Sequence, residues 1–214
     1  MIIGSISENK DIEKRISITP EIAKKYTNLG FEVQLIKNYG KHLGFEEKQY
    51  TDIGVKFVGE EKEIIENSNI IIQMSLLNQE SASLLKPNQT LIGILNPYEN
   101  KIKLDELVKK KINLFSLELL PRITRAQSMD ILSSQANLAG YKAVIESFAY
   151  FEKAIPMMMT AAGTIPAAKV LIVGAGVAGL QAIATAKRMG AIVFATDVRA
   201  ASKEQVESLG GKFL

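Results

Sequence analysis

Three glycines in G-x-G-x-x-G spacing are the residues whose types and spacing most clearly predict chemistry. Gly174, Gly176 and Gly179 follow the β-branched run VLIV, and a helical run comes directly after them. In this setting the first glycine permits a tight turn, the second lets a phosphate approach the backbone, and the third allows close helix packing. The start of the helix offers unpaired N–H groups and partial positive charge, so the turn predicts a pyrophosphate site.

An acidic residue ends the next predicted strand, IVFATD, at Asp197. A carboxylate there can accept hydrogen bonds from both hydroxyls of an adenosine ribose, and it repels a 2′-phosphate. Arg199, two residues later, could instead hold that phosphate, but the acid carries more weight. The segment therefore predicts a dinucleotide site that prefers NAD(H) to NADP(H), and the alternative is a glycine turn that binds no ligand.

A second group of polar residues lies in PRITRAQSMDILSSQ, where a strand passes into a helix. The group could be a capped helix start, with Ser128 or Thr124 as the cap and Asp130 at the positive end of the helix dipole. It could also be functional, because a cap needs only one or two such side chains. The residues alone leave both interpretations open. They are Arg122, Arg125, Gln127, Asp130, Ser133 and Ser134.

Other candidate residues have weaker support. His42 is the single histidine, so neither a histidine metal cluster nor a histidine proton relay is expected, and we predict no metal site. Arg15 follows the first strand and could reach a cleft, although a surface ion pair is favoured. The methionines of PMMMTAAG are interpreted as core residues that fill gaps beside a strand, rather than as a ligand-binding stripe.

Short apolar runs alternate with amphipathic stretches through the N-terminal half of the chain. Runs such as NIIIQM and TLIGIL suit strands covered on both faces, and the βαβα alternation predicts a parallel sheet. We predict an α/β fold with two Rossmann-like domains joined by a long helix. Residues 1–125 form the first domain, residues 126–153 the linking helix, and residues 154–214 a partial dinucleotide-binding domain that is incomplete at the C-terminus.

Composition excludes several classes of function. The 214 residues carry a net charge of only +3 and no lysine-arginine block, which gives little electrostatic support for a nucleic-acid partner. The chain has no cysteine, which excludes disulfides and a thiolate nucleophile and fits a reducing cytosol. Proline and glycine interrupt the most apolar segment, so no membrane span is predicted. The N-terminal run is typical of a strand and not of a signal peptide, and we expect a soluble, cytoplasmic protein.

Three segments resemble a known family. PRITRAQSMDILSSQANLAGYKAV, PMMMTAAGTIPAAKVLIVGAGVAGLQAIATAKRMGA and ATDVRAASKEQVESLGGKF are similar to the NAD(H)-binding alpha subunit, or domain I, of proton-translocating nicotinamide nucleotide transhydrogenase. The resemblance runs nearly unbroken from Pro121 to Phe213. It implies hydride transfer from NADH to NADP+ held by an NADP(H)-binding partner subunit, with proton translocation through a membrane subunit. It implies no catalytic acid or base, a homodimer, and a peripheral position at the inner face of the cytoplasmic membrane.

The resemblance also assigns site residues. It implies that the polar loop, with Ser128 and Met129 included, contacts the nicotinamide end of the cofactor and the partner nucleotide. It implies that the glycine turn and the acidic strand end hold the pyrophosphate and the adenosine. The first set is Arg122, Gln127, Ser128, Met129, Asp130 and Ser133, and the second is Gly174, Gly176, Val177, Gly179, Asp197, Val198 and Arg199.

Two departures shape the alternatives. The related alanine dehydrogenases use a lysine after the IIIQM-like strand and a histidine after the LIGIL-like strand, whereas this chain reads MSLLNQ and NPYEN. An alanine dehydrogenase-like oxidoreductase is therefore disfavoured. The family's domain I continues well past the position of Leu214. We therefore expect either a fragment, with a non-catalytic dinucleotide-binding role as the alternative function, or apolar surfaces that a dimer and partners cover.

Overall fold

The computed structural model describes residues 1–214, which form two compact units, Met1–Met129 and Asp130–Leu214. The predicted domain limits at residues 125 and 153 stay a prediction. None of the helices combines the length and the apolar character that crossing a membrane would require.

A six-stranded parallel sheet forms the centre of the first unit. The strand order is β3-β2-β1-β4-β5-β6, the doubly wound order of a Rossmann-like fold, which confirms the predicted fold class. The apolar runs that predicted covered strands form β4 and β5, where Ile71 and Leu91 are fully buried. The strands are β1 (Ile2–Ser5), β2 (Glu32–Ile36), β3 (Lys56–Val58), β4 (Ile70–Ser75), β5 (Thr90–Ile94) and β6 (Asn113–Ser116).

Five helices connect these strands. The first begins where the sequence predicts, because Thr19 caps it by accepting a hydrogen bond from the Ile22 N–H and Pro20 occupies its first turn. Gly30, just beyond its end, has a φ of +84°, which a side chain would disfavour. The helices are α1 (Pro20–Asn28), α2 (Glu47–Thr51), α3 (Glu61–Asn67), α4 (Gln79–Ser83) and α5 (Lys101–Lys109).

The second unit contains a three-stranded parallel sheet in the order β11-β10-β9. Within the segment predicted as a linking helix, the α-helix covers Ile131–Tyr150 and packs on the helix that follows the glycine turn. Ile183, Val193 and Val206 form the buried centre of this unit. The elements are α6 (Ile131–Tyr150), β7 (Met158–Thr160), β8 (Gly163–Ile165), β9 (Lys169–Val173), α7 (Val177–Arg188), β10 (Ile192–Thr196), α8 (Ser202–Ser208) and β11 (Lys212–Phe213).

The methionine-rich segment corrects two predictions. It was expected to be a linker whose methionines fill the core, but β7 and β8 form an antiparallel hairpin. Every residue of both strands is exposed, and Met159 is 78% exposed. Pairing within a hairpin satisfies the backbone without any need for the side chains to enter a core, so apolar composition did not imply burial here.

Candidate functional site

The glycine turn joins β9 to α7, with Gly179 in the first turn of α7, and its three glycines meet three different requirements. Gly174 has a φ of +95°, a conformation that L side chains rarely adopt. A Cβ on Gly179 would lie 1.8 Å from the Gly174 carbonyl oxygen, so only glycine permits this close approach. A Cβ on Gly176 would meet no atom within 4 Å and would project into open space. The backbone at Gly176 is therefore accessible to a ligand.

Helix α7 begins directly on this turn. Its N-cap is Gly176, and no side chain caps its first N–H groups. Helices usually satisfy one or more of these groups with a serine, threonine or aspartate side chain. An uncapped start next to an open turn fits an anion such as a pyrophosphate, which would accept those hydrogen bonds and interact favourably with the helix dipole.

Asp197 lies at the carboxyl end of β10 and contacts the same turn. Its Oδ2 accepts a hydrogen bond from the Ala175 N–H at 2.7 Å, and its Oδ1 accepts one from the Arg199 N–H at 2.8 Å. The Arg199 guanidinium donates to both oxygens, at 2.9 and 3.1 Å. Hydrogen bonds from the Arg199 side chain, followed by those from the two backbone N–H groups, hold the pKa of this carboxyl well below its ordinary value. Asp197 is therefore a carboxylate at neutral pH.

The polar segment before α6 is a 3₁₀ helix from Thr124 to Met129. The expected caps, Ser128 and Thr124, are wrong: Asp130 itself is the N-cap of α6. Its Oδ1 accepts from the Ser133 N–H at 2.9 Å, and its Oδ2 accepts from the Ser133 hydroxyl at 2.7 Å. The two side chains thus fix each other at the start of the long helix.

The predicted site residues divide between the two units. The second unit brings the glycine turn, Val177, Asp197 and Arg199 together, and Val198 between the last two is fully exposed. Asp130 and Ser133 start α6 of the same unit. The remaining four predicted residues lie at the end of the first unit, all of them exposed: Arg122, Gln127, Ser128 and Met129.

A second crevice lies in the first unit, at the carboxyl ends of β1, β4 and β5. The sheet order places β1 next to β4 at the point where the connections change direction, the usual ligand position in such sheets. The crevice encloses about 790 Å³. Carboxylates outnumber cationic groups in its lining, which includes Glu8, Glu13, Glu61, Glu99 and Lys103.

Glu8 closes the floor of this crevice. Its Oε1 accepts hydrogen bonds from the Met74 N–H at 2.6 Å, the Ser75 N–H at 3.3 Å and the Gln73 amide at 3.2 Å. Burial raises the pKa of the Glu8 carboxyl, and the two backbone N–H groups oppose that shift. The partly buried N–H groups at the end of β4 are therefore satisfied by the protein's own side chain.

Sequence reasoning missed Glu8 and Gln73, although one signal was available for Gln73. A glutamine inside the apolar run NIIIQM is a polar group at a core position, which requires hydrogen-bond partners. In the structure its Oε1 accepts from the Ser5 hydroxyl at 2.8 Å and the Ile6 N–H at 2.9 Å. It therefore ties β1 to β4 beneath the crevice.

The weaker candidates both lie in the first unit and contact residues of that unit. Arg15 pairs with Glu13, to which it donates from its backbone N–H and its guanidinium. The His42 ring Nε2 lies 2.7 Å from the Lys14 carbonyl oxygen on the surface. No group of three histidine, cysteine, aspartate or glutamate side chains is arranged to hold a metal ion.

Comparison with protein families matches both halves of the chain. Residues 4–139 match "Alanine dehydrogenase/PNT, N-terminal domain", and residues 143–214 match "Alanine dehydrogenase/PNT, C-terminal domain". The chain belongs to the alanine dehydrogenase/PNT family. The C-terminal match contains the glycine turn and Asp197, and the N-terminal match contains the carboxylate-lined crevice.

Among individual relatives, the transhydrogenase proteins are more similar to this chain than an alanine dehydrogenase is. The chain is 47% identical over 219 aligned positions to an NAD(P) transhydrogenase alpha subunit of Rhodospirillum rubrum, covering all of this chain and 57% of the relative. A solved transhydrogenase structure from Sinorhizobium meliloti matches with a TM-score of 0.95 and 43% identity, over the whole chain and 64% of that protein. An alanine dehydrogenase of Methanococcus maripaludis is 27% identical over 92% of this chain and 53% of its own length. The chain thus spans less than two thirds of each of these proteins, and the alanine dehydrogenase is the more distant one.

Proposed function

We propose that the chain binds NAD(H), with the pyrophosphate and the adenosine held by its second unit, and donates hydride to NADP+ held by a partner subunit. The observation that carries the proposal is the uncapped start of α7 on a glycine turn, with the Asp197 carboxylate beside it. The pyrophosphate would receive hydrogen bonds from the first N–H groups of α7, across the open space at Gly176. The bound dinucleotide would supply the hydride.

Arg199 determines how Asp197 can accept the adenosine ribose. A carboxylate offers about four acceptor positions, and two backbone N–H groups and the Arg199 guanidinium occupy four in this structure. The Arg199 side chain is 62% exposed and can rotate away at small cost. Its departure would free two positions for the 2′- and 3′-hydroxyls, while the backbone donors keep the carboxylate in place. A 2′-phosphate would meet the negative charge, which supports NAD(H) over NADP(H).

Hydride transfer between two nicotinamide rings requires positioning more than acid–base catalysis. We therefore propose no catalytic residue, and we assign the nicotinamide end of the site to Arg122, Gln127, Ser128, Met129, Asp130 and Ser133. The Rhodospirillum relative is named as a subunit, which supports NADP(H)-binding and membrane subunits as partners. Proton translocation, a homodimer and a peripheral membrane position in the cytoplasm belong to the same proposal.

The alanine dehydrogenase alternative has less support from the first unit. The crevice of the first unit has Ser75 and Asn96 at the ends of β4 and β5. In an alanine dehydrogenase, a lysine and a histidine after these strands would recognise the amino acid. Arg15 is paired with Glu13. With an excess of carboxylates in the lining, the crevice would repel the carboxylate of alanine or pyruvate.

A titration with NADH and with NADPH, followed by fluorescence, tests cofactor binding. Gly176→Ala should leave folding intact, because its Cβ meets open space, and should weaken NADH binding about 100-fold by excluding the pyrophosphate. Gly59→Ala is the matched control, since its Cβ also meets open space but it lies in the first unit. Equal NADH affinity for Gly176→Ala and wild type would contradict the site.

Reconstitution tests the hydride step separately. The chain is mixed with purified NADP(H)-binding and membrane subunits, and reduction of an NADP+ analogue by NADH is measured. The proposal expects reduction that depends on all components. Cofactor binding without any reduction would favour the non-catalytic dinucleotide-binding alternative.

A further inference from the structure

Gly140, in the middle of α6, makes an unusually close helix contact. A Cβ at this position would lie 2.0 Å from the Ala178 carbonyl oxygen and 2.8 Å from its carbonyl carbon, so no other residue fits without a shift. Ala178 belongs to the first turn of α7, between Gly176 and Gly179. One turn earlier on α6, the Asn137 amide donates to the Gln181 side-chain oxygen at 3.2 Å. The long helix is thus packed on the start of the helix that would bind the pyrophosphate.

The two helices run in the same general direction. After α6 ends, the chain reaches Pro156, which lies against Gly190 just beyond the end of α7. The start of α6 therefore projects past the start of α7, on the side of the open glycine turn. Asp130 precedes Gly140 by ten residues, which corresponds to about 15 Å of helix. Asp130 and Ser133, which fix each other at that start, therefore lie beyond the start of α7, on the side toward the glycine turn.

The glycine turn has little room to move when α6 is pushed against it. A Cβ on Gly179 would lie 1.8 Å from the Gly174 carbonyl oxygen and 3.6 Å from the Ile172 side chain, so α7 lies close against the end of β9 at this point. Any added volume at Gly140 is therefore expected to displace α6 and the residues at its start, rather than the turn.

We propose that Gly140 is a positioning residue that sets the distance between the two ends of the cofactor site. It fixes α6 against α7, and α6 in turn holds Asp130 and Ser133 at a fixed distance from the proposed pyrophosphate position. The proposal rests on the function proposed above, in which these two residues serve the nicotinamide end. A purely structural role would affect both halves of the ligand equally, whereas a positioning role affects the nicotinamide half.

The test compares NADH with ADP-ribose, which has the pyrophosphate and the adenosine but no nicotinamide. Gly140→Ala should weaken NADH about tenfold or more, because a displacement near 1 Å is costly for an oriented group, and should change ADP-ribose affinity little. Both affinities are measured by calorimetry on the full chain. Ala139→Gly is the control: position 139 is on the exposed side of the same helix, and the substitution lowers helix propensity without adding volume.

Equal losses for both ligands, or no loss for either, would overturn the positioning role. If circular dichroism shows that Gly140→Ala does not fold, Asn137→Ala decides, since it removes only the hydrogen bond to Gln181 and should lower the ratio of NADH to ADP-ribose affinity in the same direction. An unchanged ratio there would overturn the proposal. A folded wild-type chain that binds neither ligand would instead refute the proposed function itself, and this inference with it.

Discussion

The two units place backbone N–H groups at the carboxyl ends of parallel strands, but they satisfy those groups differently. In the first unit, Glu8 reaches across from the end of β1 and accepts from the N–H groups of Met74 and Ser75 at the end of β4. In the second unit, Asp197 accepts from the Ala175 N–H, and the N–H groups at the start of α7 have no side-chain cap. In the first unit a side chain of the protein is the hydrogen-bond acceptor, whereas in the second unit the uncapped start of α7 is open to an external anion.

This difference separates fold from function. Both sheets are parallel and connected by helices, and both present loops at the carboxyl ends of their strands, where such folds bind ligands. The first unit has a carboxylate-bearing loop after β1, whereas the second has three glycines after β9. The chemistry therefore depends on which side chains follow the strand, since the sheet topology is the same in kind.

The largest expected effect comes from disturbing one close glycine contact in each unit. Gly179→Ala would drive a Cβ into the Gly174 carbonyl oxygen, and Gly4→Ala would drive one to 2.1 Å from the Ser68 hydroxyl. Each should destabilise its own unit by about 1–3 kcal/mol. Gly179→Ala should also weaken NADH binding about 100-fold by reshaping the turn.

Gly4→Ala serves as the comparison within the same experiment. If it stays folded, its NADH affinity should remain within about twofold of wild type, because its contact lies in the other unit. Thermal unfolding and NADH titration of both variants provide the measurement. A large loss of NADH affinity in Gly4→Ala would contradict the proposal that the second unit holds the pyrophosphate and the adenosine of NADH.

A smaller effect is expected when the Asp197 charge is removed. Asp197→Asn keeps one acceptor for the turn but loses the charge that holds Arg199, and NADH should bind about tenfold more weakly. NADPH should lose less, because the repulsion of its 2′-phosphate is gone. Asp105→Asn, an exposed position on α5, is the matched control. Unchanged discrimination between NADH and NADPH would show that Asp197 does not contact the adenosine ribose.

The contribution of Asp197 to the stability of the fold should also depend on pH. Because the folded-state pKa of Asp197 is depressed, its contribution to stability is present above the unfolded pKa of about 3.9 and is lost as the pH falls. The difference in stability between wild type and Asp197→Asn should therefore shrink as the pH is lowered below about 4. Urea unfolding at several pH values measures it, and a difference that persists at low pH would contradict the assigned charge state.

The sequence predicted those features that depend on local pattern. Covered strands such as β4, the start of α1 at Pro20 and the glycine turn all follow from residue types within a few positions. The cap of α6 was missed because several neighbouring side chains could serve, and the choice of Asp130 depends on where the 3₁₀ helix ends. Glu8 was missed because its partners lie more than 60 residues away. Gly140 left one unused signal, since a glycine in a helix interior often marks close packing.

The smallest expected effect concerns Glu8, the counterpart of Asp197 in the first unit. Glu8→Gln keeps an oxygen that can accept from the Met74 N–H, so unfolding free energy at pH 7 should change by less than about 1 kcal/mol. Glu8→Ala leaves the two N–H groups without that acceptor and should cost about 1–3 kcal/mol. NADH affinity should not change in either variant.

The pH dependence of Glu8 has the opposite sign to that of Asp197. Burial raises its folded-state pKa, so its contribution to stability is full below the unfolded pKa of about 4.3 and is lost as the pH rises through the folded value. Glu8→Gln removes this loss, and its stability relative to wild type should improve as the pH rises from about 4 to 7. Urea unfolding over that range measures the trend. A flat difference would mean that the N–H groups of Met74 and Ser75 fully offset the burial of the charge, and that the crevice tolerates its internal anion at no cost.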